Sequence, residues 1–87
     1  MATSPSVLRD AARSLAEARK QITRIGAPIG RARAAERLIR LCQTEVEATA
    51  EIRRAAVRQM YEDGWTLTDI SSEFKVSRAR AHQIINA

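Results

Sequence analysis

Residues 65–85 have the sequence WTLTDISSEFKVSRARAHQII, which is typical of two short helices joined by a tight turn. Thr66 is a favourable N-cap residue, and Asp69 three positions later can return the hydrogen bond, as in a capping box. Ser77 can cap the second helix in the same way. Because very few residues separate the two helices, they must cross steeply, which is the geometry of a helix-turn-helix.

The apolar residues of this stretch follow a helical period and give each short helix one apolar face. They are Leu67, Ile70 and Phe74 in the first helix, and Ala81, Ile84 and Ile85 in the second. We expect a preceding helix to support both from its own apolar positions, which are Ile52, Ala55, Ala56 and Met60. Gly64 can end that helix, because glycine adopts the left-handed conformation without a Cβ clash.

The segment from Thr66 to Ile84 resembles region 4 of bacterial sigma factors, and it is similar to the wider group of helix-turn-helix regulators. The resemblance covers residues 52–85, and its most specific part is the pattern VSRxRxxQI at residues 76–84. It implies that the second helix enters the major groove of DNA. The residues that it places against DNA are Ser77, Arg78, Ala79, His82, Gln83 and Asn86.

Three positions differ from the usual pattern of the sigma family. Ala79 stands where these proteins usually carry an acidic residue that contacts a base, and His82 stands where they often carry arginine. Both differences bear on which DNA sequence is bound. Lys75 occupies a turn position where glycine is common, so this lysine would have to adopt a positive φ. No core-polymerase-binding region of the sigma type precedes the motif in this sequence, and we therefore expect a protein other than a sigma factor.

The side chains of the second helix also suit DNA on chemical grounds. Arginine can bond to O6 and N7 of guanine, and glutamine to N6 and N7 of adenine. Arg78 and Gln83 are therefore the best candidates for base contacts. The full set of candidate base-contacting residues is Arg78, Gln83, His82, Ala79 and Asn86. The candidates for phosphate contacts are Ser77, Arg80, Lys75 and Thr66.

In the first half of the chain we expect a helix that runs to about Ile25. Ser4 can serve as its N-cap, and Pro5 suits its first helical position. Its apolar residues alternate at spacings of three and four, as in the seam of a coiled coil. The seam positions seven residues apart are Leu8, Leu15 and Ile22. The seam predicts either a dimer contact or the inner face of an ordinary amphipathic helix.

A break follows at the sequence GAPIG, residues 26–30. Gly26 can take the left-handed conformation at the end of a helix, and Pro28 cannot continue one. We expect a second helix to start near Arg31 and to run almost unbroken to about Asp63. The alternative is a break between Thr44 and Thr49, where helix propensity is lowest. A short connection between the two helices favours an antiparallel hairpin.

The predicted fold is therefore all-α, with two parts. Residues 1–50 form an antiparallel, coiled-coil-like helical hairpin that serves oligomerisation. Residues 51–87 form a trihelical helix-turn-helix unit. With one Trp, one Tyr and one Phe in 87 residues, the core must be aliphatic and alanine-rich. A core this small favours stabilisation by self-association.

The chain is basic, with a formal charge of +5, which indicates nucleic acid or another anionic surface as partner. Residues 19–40 hold seven cations and one acid. A possible second basic patch consists of Arg31, Arg33, Arg37 and Arg40. Three roles for this patch remain open, namely phosphate contacts, an acidic protein partner and simple solvation.

No residue pattern indicates catalysis. There is no nucleophile–base pair, phosphate-binding glycine loop or carboxylate cluster, so we expect no enzyme and no cofactor. We expect no metal site either, since the single His has no partner at ligand spacing, and Cys42 is more typical of a small core residue. No long apolar run or signal peptide is visible, so we expect a cytoplasmic, nucleoid-associated protein without a membrane partner.

Three functions fit these observations. The first is a dimeric, sequence-specific DNA-binding protein, a bacterial transcriptional regulator that places residues 77–86 in the major groove of double-stranded DNA. The second is an architectural protein, or a plasmid or chromosome partition protein, that coats DNA with the same motif. The third is an adaptor that binds RNA polymerase or another protein of the transcription machinery. The sequence alone does not separate the first two.

Overall fold

The computed structural model describes residues 5–86, and all regular secondary structure among them is helical. The helices are α1 (Pro5–Thr23), α2 (Pro28–Glu62), α3 (Leu67–Phe74) and α4 (Arg78–Asn86). This confirms the all-α class. No helix in the described range is both long and apolar enough to cross a membrane. Ser4, the expected cap of α1, lies outside the described residues.

The end of α1 differs from the expectation in its chemistry. Gly26 does not adopt a positive φ. Among the described residues, only Gly64 and Lys75 have one. The last turn closes instead through the Ile25 amide, which donates to the Ile22 carbonyl at 3.1 Å. Arg31 completes the cap from the next helix, since its Nη1 donates to the Ile25 and Gly26 carbonyls at 2.9 and 3.1 Å. A long side chain therefore satisfies two carbonyls just beyond the last turn of α1.

Helix α2 is continuous over 35 residues, as predicted, but it begins at Pro28 rather than near Arg31. Proline suits the first helical position, because its fixed φ matches the helix and its missing N–H is not needed there. At the other end Gly64 has a φ of 108°. The Trp65 amide donates to the Met60 carbonyl at 3.0 Å, which closes the Schellman motif expected for a left-handed glycine.

The chain divides into two compact units, residues 1–42 and residues 43–87, with the division inside α2. The second unit contains the core, and Ile70 at its centre is fully buried. The buried residues are Val57, Ile70, Ala81, Ile84 and Ile85, with Met60, Leu67 and Val76 packed against them. Each large aliphatic side chain in such a core contributes about 1.5–3 kcal/mol of hydrophobic free energy.

The face of α2 that supports this core is not the expected one. Ile52 is 69% exposed, and Ala55 and Ala56 are exposed as well. Val57 is 1% exposed and Met60 packs beside it, so only Met60 of the predicted set was right. Ile52 lies roughly 140° around the helix from Val57, at about 100° per residue. Likewise, Phe74 shares the helical face of Ile70 but remains 43% exposed.

The first unit has no buried residue between Ser6 and Cys42. Along the predicted seam, Leu8 is 62% exposed, Leu15 is 44% exposed and Ile22 is half-buried. At Gly30 an added Cβ would lie 3.0 Å from the Ile25 side chain, so these two residues lie close together. The apolar side chains of this unit therefore remain substantially open to solvent.

Candidate nucleic-acid interface

The start of α3 is fixed by a complete capping box. The Asp69 amide donates to Thr66 Oγ1, and the Thr66 amide donates to Asp69 Oδ2, both at 3.0 Å. These hydrogen bonds stabilise the charged carboxylate, so the Thr66 backbone amide and then its hydroxyl hold the pKa of Asp69 below its ordinary value. The predicted cap is confirmed. Because Thr66 Oγ1 is occupied as an acceptor, a phosphate contact from this residue would use its hydroxyl proton.

The turn between α3 and α4 depends on Lys75. It adopts φ 54° and ψ 45°, the left-handed conformation expected for this position. The Val76 amide then donates to the Ser71 carbonyl at 3.0 Å and satisfies a helix-end carbonyl. A left-handed lysine costs about 1–2 kcal/mol relative to a right-handed one. The left-handed Lys75 therefore introduces backbone strain into the short turn that joins α3 to α4.

Ser77 caps α4, as predicted. Its Oγ accepts the Arg80 amide at 3.0 Å, and its carbonyl accepts the Ala81 amide at 3.0 Å. The Ser77 side chain is exposed, so its hydroxyl proton is available to an incoming acceptor. The first turn of α4 also presents backbone N–H groups, and α4 carries no acidic residue in that turn. This end of the helix therefore suits an anion such as phosphate.

The outer surface of α4 contains every candidate base-contacting residue, and all of them are exposed. They do not share one face, however. Gln83 and Ala79 lie opposite the buried Ala81, whereas Arg78 lies roughly 140° around the helix from Gln83. Arg78 and Gln83 would therefore approach a ligand from different sides of the helix.

Arg78 lies on the flank of α4 that faces the start of α3. It lines an open groove together with Tyr61, Trp65, Thr66 and Thr68. Tyr61 is 48% exposed and Trp65 is 40% exposed, so two partly exposed aromatic side chains line the same groove as Arg78. The sequence analysis missed this grouping, because Tyr61 belongs to α2 and no local spacing joins it to Arg78.

At the end of α4, the Asn86 side chain is hydrogen-bonded to His82. Asn86 Nδ2 donates to the His82 carbonyl at 3.0 Å and lies 3.1 Å from His82 Nε2. The Asn86 amide nitrogen is thus engaged within the helix. A contact from Asn86 to a base would use its amide oxygen or would replace these hydrogen bonds.

Arg58 is a further residue that the sequence analysis missed. Its Nε and Nη2 both donate to the Ile85 carbonyl, at 3.2 and 3.0 Å. This carbonyl belongs to the last turn of α4, where helix carbonyls lack a partner within the helix. Arg58 therefore ties α2 to the C-terminal end of α4. Its separation of 27 residues from Ile85 left no local signal to find.

The charges of α3 and α4 have opposite sign. Asp63, Asp69 and Glu73 line an open groove on the α3 side of the unit, with Trp65 between them. From residue 75 to residue 86 the chain has three cations and no acid. A polyanion would be repelled from the α3 groove and attracted to α4, so α4 is the side that can face a phosphate backbone.

The members of the second basic patch differ in their contacts. Arg31 binds the carbonyls at the end of α1, and Arg40 Nε donates to Glu36 Oε1 at 3.1 Å. Arg33 and Arg37 are exposed and make no side-chain hydrogen bond or ion pair to any described residue. The structure therefore leaves only part of the predicted patch with uncommitted guanidinium groups.

Comparison with protein-family models, with curated proteins and with solved structures finds no significant match for this chain.

Proposed function

We propose that this chain is a dimeric, sequence-specific DNA-binding protein in which α3 and α4 form a helix-turn-helix and α4 enters the major groove. The observation that carries the proposal is the surface of α4. Its inner side is anchored by three buried residues, and its outer side presents Arg, Gln, His and Asn without any acid. The similarity of residues 76–84 to region 4 of sigma factors points in the same direction, towards transcriptional regulation.

Within this proposal the side chains of α4 divide by role. Gln83 faces away from the core and suits a base edge at the centre of the contact. Arg78 approaches from the flank, where it lines one groove with Tyr61 and Trp65. Arg80 lies on the other side of Gln83 and, with Ser77 and Lys75, suits the phosphates.

The dimer is proposed from the solvent exposure of the first unit. In this unit we expect α1 and the start of α2 to form an antiparallel hairpin. Every described residue from Ser6 to Cys42 keeps part of its surface in water, including Leu8 and Leu15. A helical hairpin without a buried residue gains little free energy by itself. Two hairpins packed as a four-helix bundle would cover this surface. A two-fold dimer in turn predicts an inverted repeat in the DNA.

Binding selection followed by sequencing tests the proposal. Wild type should enrich one half-site from random duplex DNA. Arg78→Ala and Gln83→Ala should each weaken binding to that site by about 1–3 kcal/mol and affect random DNA much less. Arg80→Ala is the matched control, since loss of a phosphate contact should weaken binding to both DNAs about equally.

The outcome also separates the alternative functions. Discrete genomic sites support a regulator, clustered repeats support a partition protein, and uniform coverage supports an architectural protein. An adaptor that contacts only the transcription machinery predicts no duplex affinity at moderate salt. A wild-type protein that binds no duplex would refute the proposal. If Arg78→Ala keeps its full discrimination, Arg78 does not contact a base.

A further inference from the structure

The positive charge of this protein does not lie mainly in its second half. Residues 51–86 hold six cations and five acids, so the net charge of this segment is +1. Residues 19–40 have a net charge of +6, which exceeds the +5 of the whole chain. Sequence-independent affinity for DNA depends on the number of phosphates that cations neutralise. Most of the charge that can supply it therefore lies in the first unit.

The cations of this segment are largely uncommitted. Arg31 donates to backbone carbonyls at the end of α1, and Arg40 forms an ion pair with Glu36. The other five make no side-chain hydrogen bond or ion pair within the described residues, and all five are exposed. They are Arg19, Lys20, Arg24, Arg33 and Arg37. Exposed cations without acidic partners keep their full attraction for an external anion.

Arg33 and Arg37 form one continuous surface of α2. They are one helical turn apart on α2 and line an open groove with Ala32, Glu36 and Arg40. From Arg33 to Arg40 the helix rises about 10 Å, at about 1.5 Å per residue. Along one DNA strand, phosphate charges follow one another every ~3.4 Å of helix axis. This row of arginines therefore spans about three phosphates.

The type of cation suits the oxygens of a phosphate group. Six of the seven cations in residues 19–40 are arginine. The planar guanidinium can donate two parallel hydrogen bonds to one phosphate, and it is only weakly hydrated. We propose that the Arg33–Arg37 face of α2 is a second duplex-binding surface, which binds the DNA backbone without regard to sequence and contributes about two phosphate contacts to the salt-dependent affinity. This inference takes its ligand from the proposed function but does not depend on base contacts by α4.

Fluorescence anisotropy on a labelled duplex of random sequence, over a series of salt concentrations, tests this inference on the full-length chain. The test variant carries Arg33→Gln and Arg37→Gln. The matched control carries Arg9→Gln and Arg13→Gln, which remove the same charge from exposed positions of α1. Each lost phosphate contact lowers the slope of log affinity against log salt by about 0.9. The test variant should lose about two units of slope, and the control should lose none.

A third variant separates charge from general disruption. Arg33→Lys with Arg37→Lys keeps both charges, so its slope should stay near that of wild type. Equal slopes for the test variant and the control would overturn the second surface. So would binding of polyglutamate that matches duplex binding in strength and is lost in the test variant, because the surface would then take acidic polypeptides.

Together with the binding selection, this experiment distinguishes the second surface from the proposed function. If wild type binds no duplex at all, both fail. If wild type discriminates its selected site from random DNA and the test variant keeps the full salt slope, only the second surface fails. If the test variant loses slope but wild type shows no sequence preference, the second surface stands and base contact by α4 fails.

Discussion

Replacement of Arg58 by methionine should destabilise the second unit more than any other single change to an exposed arginine. In the structure, two nitrogens of this guanidinium donate to the Ile85 carbonyl at 3.2 and 3.0 Å. A hydrogen bond to a charged group contributes about 1.5–3 kcal/mol net. The site is only part-buried, and water can reach some of the released groups. We therefore expect a loss of about 1–2 kcal/mol.

Such a loss is large for a small core. In a domain of this size, 1 kcal/mol corresponds to about 4–8 °C in the midpoint of thermal unfolding. Trp65 is the single tryptophan of the chain and lies in the second unit, 40% exposed. Its fluorescence in urea should report the unfolding of that unit. The Arg58→Met midpoint should shift to lower urea, with the slope of the transition unchanged.

Two variants make this measurement specific. Arg53→Met removes an equal charge from an exposed position of the same helix and should change the free energy of unfolding by less than about 0.5 kcal/mol. Arg58→Lys keeps the charge but loses the fork of donors, so its stability should be intermediate. If Arg58→Met and Arg53→Met unfold at the same urea concentration, the bond to Ile85 does not stabilise the unit and our reasoning is wrong.

Three further predictions concern caps and assembly. In Asp69→Asn, the stability difference from wild type should be greatest above the ordinary carboxyl pKa of 3.8, because the folded state holds the pKa of Asp69 lower. A series of urea titrations should show this difference shrinking as the pH falls through the depressed folded-state pKa, and a gap that grows there would contradict it. Lys75→Gly should stabilise the protein by about 0.5–1 kcal/mol, because glycine adopts the left-handed conformation without strain. Lys75→Ala is the control, since it removes the same charge but keeps the Cβ, and equal unfolding midpoints for the two would show that strain is unimportant. Leu15→Asp should give monomers or unfolded chain in light scattering, whereas an unchanged dimer, or a well-folded wild-type monomer at high micromolar concentration, would exclude this seam as the contact.

Features that depend on neighbours a few residues apart were predictable. The capping box of Thr66 and Asp69, the glycine end of α2 and the left-handed Lys75 are all present. Each of them is closed by hydrogen bonds that span three to five residues, so the residue types in a short window are sufficient. The buried residues of α4 were predictable for a similar reason, because its two isoleucines and Ala81 share one face.

Features that depend on distant parts of the chain were not predictable. Helix α2 has several apolar positions around its circumference, and periodicity could not decide that Val57 rather than Ile52 enters the core. The exposure of Phe74 was missed as well, because its face was correctly placed but the core does not extend to it. In both cases the outcome depends on which neighbours arrive, and the local pattern contains no information about them.

The sequence by itself determined the helices of the second unit, their caps and the polar surface of α4, since backbone geometry and side-chain type act over one or two turns. Only the tertiary structure decided how that surface is supported and which charges are available. It joined Arg58 to Ile85, brought Arg78, Tyr61 and Trp65 to the lining of one groove, and committed Arg31 to the end of α1. These contacts form because packing of the helices brings together groups that are far apart in the chain, or turns a long side chain back across a loop. In the sequence every guanidinium carries the same charge. Only the structure shows that Arg31 caps a helix and that Arg58 ties two helices together.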